Sequence, residues 1–296
     1  IEQNQIEMLL SKMKSMVKQN IEIETETVSH SEACKILEDE KLTETRKMLD
    51  FNCPPAVELD YIDGFDDKHY GPVVPSTGVL KTFDLMKYKD GFLLRYPSSK
   101  DINEMTPFQD QPALSKVFSE YKKWGKRIGV TTVASLNEIC LSKHSTQDFV
   151  DIAETFQTKN ISNIASQIAE KKSVRVVLIA GPSSSGKTTT SKKLALELQA
   201  IGITPKVISL DDYYAGLDRC PRDKNGKPDF ECLEALDIDL LNQNLLDLFS
   251  GKTVQLPSYD FHNSSQYFED TKKMELKENE ILIMEASSIE QSTHAW

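Results

Sequence analysis

The segment 181–188 reads Gly-Pro-Ser-Ser-Ser-Gly-Lys-Thr and restricts the fold of this chain more than any other feature. It matches the pattern G-x-x-x-x-G-K-[ST], which is typical of a phosphate-binding loop. An apolar run rich in valine precedes it at 174–179, and Leu194 and Leu198 follow at helical spacing. The order of strand, glycine-bracketed loop and helix predicts an α/β fold in which 174–179 is a buried parallel strand.

Small residues let such a loop wrap closely around phosphate groups with its backbone N–H groups pointing inward. The helix that follows adds the positive end of its dipole. Lys187 supplies a full positive charge for the outer phosphates, and the Thr188 hydroxyl suits Mg²⁺, which prefers oxygen ligands. A glycine- and serine-rich turn without a ligand is the alternative, and the agreement of the loop with its flanks argues against it. The predicted phosphate-binding residues are Gly181, Ser183, Ser184, Ser185, Gly186, Lys187, Thr188 and Thr189.

Acidic residues follow two further predicted strands. Asp211 and Asp212 come after the short strand 207–210, and Glu285 comes after the apolar run 281–284. Ligands in open α/β sheets bind beyond the carboxyl ends of the strands. Asp211 is therefore our candidate for accepting the proton of an attacking hydroxyl, with Asp212 as the fallback. An aspartate that caps the next segment is the alternative for this pair.

The predicted magnesium site combines Glu285 with Thr188. An acid at the end of a core strand can bind Mg²⁺ directly or through water. The signal from Glu285 alone is weak, because a short apolar run followed by glutamate is common.

The sequence before the loop predicts a separate α+β module at about 21–110, followed by a helical connector that ends at about 172. Asn20 is a predicted helix stop, and Ser29 with Glu32 forms a capping box. Asp90-Gly91 is a strong hairpin signal. The predicted domains are therefore 1–110, 111–172 and 173–296. The predicted elements are a helix at 4–19, a strand at 21–28, a helix at 29–37, a strand at 57–62, a hairpin at 79–96, and helices at 114–124, 146–156 and 160–171; beyond the loop we expect a mobile loop at 222–230 and a helix at 237–249.

Two pairs of one histidine and one cysteine raise the question of a zinc site, because Cys₂His₂ is an acceptable ligand set. The two members of each pair are four residues apart, a spacing that places both on one helix face. The pairs are His30 with Cys34 and Cys140 with His144. They lie far apart in the sequence, which favours the interpretation that they bind no metal. A basic cluster around Trp124, within 122–127, is better explained as a solvated helix face than as a nucleic-acid contact.

Composition excludes several classes of protein. The net charge of −11 argues against a general nucleic-acid-binding surface, so we do not expect a nucleic-acid partner. No apolar run approaches the roughly 20 residues that a membrane helix needs. Five scattered cysteines indicate a reducing compartment, so we expect a cytoplasmic location. The first residue is Ile1 and not methionine, which is consistent with a segment of a longer protein.

The motifs together resemble the uridine kinase and phosphoribulokinase family over residues 174–285. The loop G-P-S-S-S-G-K-T-T, then L-D-D-Y-Y, P-D-F-E-C-L-E-A-L-D and P-S-Y-D-F, come in the order and spacing of that family. The preceding region is similar to the N-terminal domains of threonyl-tRNA synthetase, which are found ahead of such a kinase domain in one known arrangement. The phrases V-P-S-T-G-V-L-K-T-F-D-L, G-F-L-L-R-Y-P and F-S-E-Y-K-K-W-G carry that likeness. The ubiquitin-like module that usually comes first in that arrangement is absent from this sequence.

The family resemblance implies roles for individual residues. Asp211 would activate the ribose 5′-hydroxyl, and Tyr214, Glu231 and Tyr259 would line a nucleoside pocket. Glu285 would be the carboxylate on the magnesium side. The cofactors implied are ATP and Mg²⁺.

Three positions depart from the family pattern. Glu231 stands where uridine kinases usually have an aspartate, Ser264 where they have a histidine, and Ala286 where they have a glycine. His262 is a nearby but unaligned substitute for that histidine. These departures leave the identity of the phosphate acceptor open.

The resemblance also implies that a complete kinase domain continues beyond Trp296, with two more parallel strands, an adenine-binding segment and an arginine-bearing lid. We therefore expect the parallel sheet to be incomplete, and we expect the chain to bind nucleotide but to phosphorylate poorly. Losing one arginine of this kind can lower the rate by about 10³-fold or more.

The function predicted is ATP-dependent phosphoryl transfer to the 5′-hydroxyl of a nucleoside, uridine in particular. Two alternatives stay open. One is a kinase of a sugar or sugar phosphate, and the other is a catalytically weak regulator or adaptor that uses the loop to sense nucleotide. Related kinases often assemble, so homo-oligomerisation is open as well. A hydrolase would need a residue that positions water, and none is identifiable.

Overall fold

The computed structural model describes residues 2–98, 101–182, 184–230 and 232–287. The chain divides into two compact units, Ile1–Phe149 and Val150–Trp296. The three-part division expected from the sequence, with boundaries after 110 and 172, stays a prediction. No helix in the described ranges is both long enough and apolar enough to cross a membrane.

The first unit is built from helices and antiparallel strands. Strands β1, β2 and β3 form one sheet in that order, and β4 pairs with β5 as a hairpin. Its core contains Val28, Leu37, Leu49, Val57 and Leu59, all buried. The helices are α1 (Gln3–Gln19), α2 (His30–Asp39), α3 (Thr43–Asn52), α4 (Pro112–Ile128) and α5 (Val133–Cys140); the strands are β1 (Glu24–Ser29), β2 (Ala56–Ile62), β3 (Phe65–Asp67), β4 (Asp84–Tyr88) and β5 (Gly91–Arg95).

Two of the predicted helix boundaries in this unit are confirmed. Asn20 ends α1 in the left-handed conformation, with φ of 52°. Its side-chain oxygen accepts hydrogen bonds from Ser76 Oγ (2.7 Å) and from the Gly78 amide (3.1 Å), which fixes the loop before β4 against the end of the helix. Ser29 caps α2, since its hydroxyl accepts a hydrogen bond from the Glu32 amide.

The second unit contains a three-stranded parallel sheet in the order β6-β10-β7. Helix α6 (Lys143–Glu170) leads into it. The antiparallel pair β8 and β9 lies outside this sheet. The other elements are α7 (Lys187–Ala200), α8 (Ile238–Phe249), β6 (Val176–Gly181), β7 (Thr204–Ser209), β8 (Val254–Asp260), β9 (Ser265–Met274) and β10 (Glu280–Ser287).

The central strand β10 is buried on both faces, as the sequence predicts. Leu282 and Met284 join a cluster that includes Leu241 and Leu248 of α8. Ile283 points to the opposite face, where it packs with Leu194 and Leu198 of α7 and Ile161 of α6. Burying a side chain of this size stabilises the fold by about 1.5–3 kcal/mol. The parallel sheet is thus held between helices. Because its strands are parallel, their carboxyl ends lie at the same edge of the sheet.

Several elements differ from the sequence-based prediction. Strand β6 lies at an edge of the sheet with Leu178 61% exposed, so it is not the fully buried strand that its apolar run suggested. The helices predicted at 146–156 and 160–171 are one continuous helix α6. The polar residues 157–159 interrupt the apolar periodicity, but they include no glycine or proline that would end a helix.

The hairpin predicted at 79–96 is shorter than expected. Its first strand begins at Asp84, and a 3₁₀ turn occupies Thr77–Val79. Helices α3 and α5 and strands β3, β8 and β9 were missed. Strand β9 is mostly polar and exposed, so no apolar alternation marked it.

Candidate active site

The phosphate-binding loop joins β6 to α7 with backbone conformations that small residues favour. Gly186 precedes the helix with φ of +85°, and Ser184 also has a positive φ of 60°. A Cβ atom added to Gly181 would lie only 2.8 Å from Ser185 Oγ, so this position accepts glycine alone without rearrangement. Ser183 lies outside the described residues.

The carbonyl oxygen of Pro182 holds the loop together. It accepts hydrogen bonds from the Ser185 amide (3.2 Å) and from Lys187 Nζ (3.0 Å). The lysine side chain therefore lies back over the loop that it follows. Thr189 is exposed in the first turn of α7. The loop thus carries an ammonium group, several backbone amides and the positive end of a helix dipole within one turn, which is an arrangement suited to an anion.

Glu285 is buried in the central strand, next to the first turn of α7. Thr188 Oγ1 donates a hydrogen bond to Glu285 Oε1 (3.1 Å), so the two residues predicted for the metal site are in contact. Ser191 Oγ contacts the other carboxylate oxygen at 3.3 Å and the Thr188 carbonyl at 3.0 Å. Sequence reasoning missed Ser191. It lies three residues after Thr188 on one helix face, and that spacing is the signal that could have identified it.

Asp211 and Asp212 lie in a 3₁₀ turn, Leu210–Tyr213, directly after β7. Asp212 forms an ion pair with Lys272 of β9, with 2.8 Å between Oδ2 and Nζ. The same ammonium group donates to the Pro257 carbonyl (2.7 Å) and to Ser258 Oγ (2.8 Å). Asp212 therefore ties the turn to the β8–β9 pair, whereas Asp211 is half-buried in the same turn.

Aromatic rings gather around Tyr214, at the end of this turn. The ring centroid of Tyr214 lies 5.5 Å from that of Tyr259 and 6.2 Å from that of Phe261, and the Tyr259 and Phe261 rings are 5.0 Å apart. The Tyr214 hydroxyl donates a hydrogen bond to the Phe230 carbonyl (3.1 Å). Two of the predicted nucleoside-binding residues are therefore neighbours, while the third, Glu231, lies outside the described residues.

Phe230 and Phe261 were not assigned a role from the sequence, although both lie in the quoted motifs. The Phe230 ring meets that of Tyr214 edge-on at 5.7 Å. Burial raises the pKa of the Tyr259 hydroxyl, and the neighbouring Ser264 hydroxyl lowers it by a smaller amount. Tyr259 is therefore a neutral phenol that can donate or accept a hydrogen bond.

The chain between the aromatic residues and α8 is fixed by Asp237. Its carboxylate caps α8 by accepting a hydrogen bond from the Leu240 amide (3.2 Å). Arg219 Nη1 lies 2.8 Å from the other carboxylate oxygen. The hydrogen bond from Arg219 holds the pKa of Asp237 below its ordinary value, against the opposing effect of burial.

The residues considered for zinc do not form a cluster. His30 and Cys34 are neighbours, with Sγ 3.8 Å from the ring nitrogens, and His144 faces Asp148 at 3.4 Å. Across the described ranges, no group of three or more His, Cys, Asp or Glu side chains is arranged to hold a metal ion. All five cysteines are free thiols.

Comparison with known proteins shows that part of the second unit is similar to kinases. Residues 176–286 match the family model described as the phosphoribulokinase / uridine kinase family. The uridine kinase of Macrococcus caseolyticus is 34% identical over 110 residues, which cover 37% of this chain and 51% of that protein. The uridine-cytidine kinase C of Dictyostelium discoideum is 34% identical over 115 residues, which cover 38% of this chain and 23% of that protein.

Among solved structures, one described as a possible uridine kinase from Bacillus stearothermophilus matches with a TM-score of 0.36 and 25% identity. The match covers 43% of this chain and 69% of that one. The chain spans about half the length of the first of the curated relatives and about a quarter of the second. Residues 176–286 are therefore similar to the kinases of the phosphoribulokinase / uridine kinase family, and their parallel sheet is consistent with a P-loop kinase.

Proposed function

We propose that this protein uses ATP to phosphorylate the 5′-hydroxyl of a nucleoside, and that uridine is the acceptor. The observation that carries the proposal is the contact between Thr188 of the phosphate-binding loop and the buried Glu285 of the central strand. It joins a loop suited to phosphates with an acid at the edge of the sheet where ligands bind. The similarity to proteins named uridine kinase supports the choice of acceptor.

ATP is expected to bind with its phosphates on the loop, where Lys187 exchanges the Pro182 carbonyl for a phosphate oxygen. The residues present fit Mg²⁺, because Thr188 and Glu285 offer hard oxygen ligands in mutual contact. Mg²⁺ takes few protein ligands and completes its shell with water and phosphates, so a larger acidic cluster is not needed. When bound, the ion would neutralise charge on the transferring phosphoryl group.

Asp211 is proposed to accept the proton of the attacking hydroxyl. Asp212 is the fallback, and its carboxylate forms an ion pair with Lys272. Proton transfer of this kind contributes typically about 10²–10⁴-fold to a rate. Tyr214 and Tyr259 are proposed to hold the nucleoside, and Glu231 is proposed to hold the ribose hydroxyls.

The proposal is tested by measuring the ADP and the phosphorylated acceptor formed from ATP with uridine, cytidine or ribulose 5-phosphate. We expect slow turnover of uridine, in line with the weak phosphorylation expected from the sequence, and we expect Asp211→Asn to abolish it. Activity with ribulose 5-phosphate and none with nucleosides would replace the proposal by a sugar phosphate kinase. Nucleotide binding without turnover of any acceptor would favour the regulator.

The free cysteines fit a reducing compartment, so we place the activity in the cytoplasm.

A further inference from the structure

Cys220 and Cys232 donate hydrogen bonds to the same backbone oxygen. Cys220 Sγ lies 3.5 Å from the Asp229 carbonyl oxygen, and Cys232 Sγ lies 3.3 Å from it. A single oxygen atom therefore lies between the two sulfur atoms, although the cysteines are well separated in the sequence. Both are free thiols in the structure.

The backbone between the two cysteines forms a closed loop. The Asp229 amide donates a hydrogen bond to the Pro221 carbonyl (2.8 Å), and Arg222 pairs with Pro228 in an antiparallel bridge. The arms of the loop are thus already held together next to the carbonyl that the thiols share. A bond between the sulfur atoms would close the base of this loop.

The two thiols differ in how easily a small molecule can reach them. Cys220 is buried, whereas Cys232 is half-buried. Burial raises the pKa of both thiols, so both are protonated at neutral pH and can donate to the carbonyl. The thiolate is the form that attacks a disulfide, so we expect a slow first reaction at Cys232, the more accessible of the two.

We propose that Cys220 and Cys232 are a redox-sensitive pair, which a low-molecular-weight disulfide such as glutathione disulfide converts to an intramolecular disulfide. The Cys232 thiolate attacks one sulfur of the small disulfide, forms a mixed disulfide and releases one thiolate. The Cys220 thiolate then attacks Cys232 Sγ and releases the second thiolate. The protons of the two cysteines end on the two released thiols, so one disulfide is reduced as another forms.

The second step is favoured by the geometry, because the attacking sulfur is already held beside its target. Both thiols give up the Asp229 carbonyl as the bond forms. In a reducing compartment the pair stays free, as it is in the structure, and the disulfide forms when that compartment becomes oxidising.

The disulfide would restrict the chain beside the aromatic group. Phe230 lies inside the loop, and its carbonyl oxygen accepts the hydrogen bond from the Tyr214 hydroxyl. The rings of the same two residues meet edge-on. Oxidation would therefore act next to the proposed acceptor site, but the thiol pair itself does not depend on the proposed kinase function.

The test treats the folded protein with glutathione disulfide, counts the remaining free thiols and maps disulfides by mass spectrometry. Trypsin cleaves after lysine and arginine but not before proline, so it releases Cys220 in 220–222 and Cys232 in 225–252. We expect the loss of two thiols per chain and a linked peptide made of these two segments. A reductant should separate them and restore both thiols.

The exposed cysteines would react as well, so the experiment uses the variant Cys53→Ser/Cys140→Ser, which retains three thiols. Cys34 is the matched control within this variant. It is half-buried, as Cys232 is, but its sulfur contacts the His30 ring (3.8 Å). Cys34 should remain free or carry one glutathione, and it should not appear in a linked peptide.

Single substitutions in the same background separate the two steps. Cys220→Ser should leave Cys232 carrying one glutathione, because no second thiol is there to release it. Cys232→Ser should leave Cys220 free, because its sulfur is buried. Serine keeps a hydrogen-bond donor for the Asp229 carbonyl in both variants.

Mixed disulfides at these positions without a linked peptide, a link that includes Cys34, or thiols that stay free in the folded protein would each overturn the proposal. All of these results would leave the kinase proposal intact, because that is tested by turnover. A reduced protein that turns over no acceptor but forms the linked peptide would overturn the kinase proposal alone.

Discussion

Thr188 and Glu285 are 97 residues apart in the sequence, yet the threonine hydroxyl donates a hydrogen bond to the glutamate carboxylate over 3.1 Å. The contact connects the first turn of α7 with the central strand of the parallel sheet. It requires β10 to lie between β6 and β7, so that Glu285 is opposite Ile179 on one side and Ser209 on the other. The strand order therefore creates the proposed metal site.

Glu285→Gln should weaken Mg²⁺-dependent nucleotide binding roughly 10–100-fold, the range typical of residues that support a metal. The amide keeps the size of the side chain but loses its charge. Calorimetric titration of ATP with and without Mg²⁺ measures the effect. Glu280→Gln is the control, because Glu280 is buried at the other end of the same strand. A loss of equal size without Mg²⁺ would show that Glu285 acts only in packing.

Lys187→Ala should lower the affinity for ATP about 10–100-fold, since a charge-assisted contact to a phosphate is lost. Lys192 lies exposed on the same helix, so Lys192→Ala should bind ATP as the wild type does. Binding of a fluorescent ATP analogue measures both variants. Unchanged binding by Lys187→Ala would contradict a role of this loop in holding phosphates.

Asp211→Asn and Asp212→Asn should have different effects, although the residues are adjacent. In the first, kcat should fall by roughly 10²–10⁴-fold with nucleotide affinity retained. The second removes the partner of Lys272, and since both side chains are about one-third exposed, the expected loss is about 1 kcal/mol of stability. Steady-state kinetics and urea denaturation separate the two. The assignment is wrong if Asp212→Asn is the variant that loses turnover.

The sequence was sufficient to predict the loop, its flanking strand and helix, the short strand that leads to Asp211 and the strand that carries Glu285. These follow from local patterns of glycine, lysine and apolar residues. The order of the strands was not predictable, because it depends on pairing between residues about a hundred positions apart. Ser191 and Lys272 were missed for the same reason, since each is important through a contact with a distant residue.

The exposure of β6 was misjudged because an apolar run does not reveal how many neighbours a strand has. Leu178 belongs to the same apolar run as Val177 and Ile179, but Val177 and Ile179 pack against the buried cluster that includes α7, whereas Leu178 is exposed. Strand β9 gave no signal at all, because its polar sequence does not resemble a strand.

Asp237→Asn should destabilise the protein by about 1 kcal/mol at pH 7 and by less in acid. The hydrogen bond from Arg219 lowers the pKa of Asp237. Its stabilising effect is therefore fully present above the ordinary aspartate pKa of about 3.9 and is lost as the pH falls through the lowered value. Urea denaturation of wild type and variant at several pH values measures the difference. A difference that stays constant into strong acid would contradict the ion pair as its source.

Gly78→Ala should destabilise the first unit by about 1–3 kcal/mol, because another side chain already occupies the space that the added methyl group needs. A Cβ atom at Gly78 would lie 2.0 Å from Asn20 Oδ1. That oxygen cannot simply move away, since it accepts hydrogen bonds from Ser76 and from the Gly78 amide. Gly71→Ala is the control, because a Cβ atom there meets nothing within 4 Å.

A double variant that combines Asn20→Gly with Gly78→Ala identifies why Gly78→Ala loses stability. Glycine suits the left-handed backbone at position 20, and it removes the obstructing side chain together with its two hydrogen bonds. The two changes should therefore be non-additive, with the double variant more stable than the sum of the single losses predicts by about 1 kcal/mol or more. Thermal and urea denaturation of the four proteins measure this coupling. Strict additivity would mean that the alanine is destabilising for a reason other than its collision with Asn20.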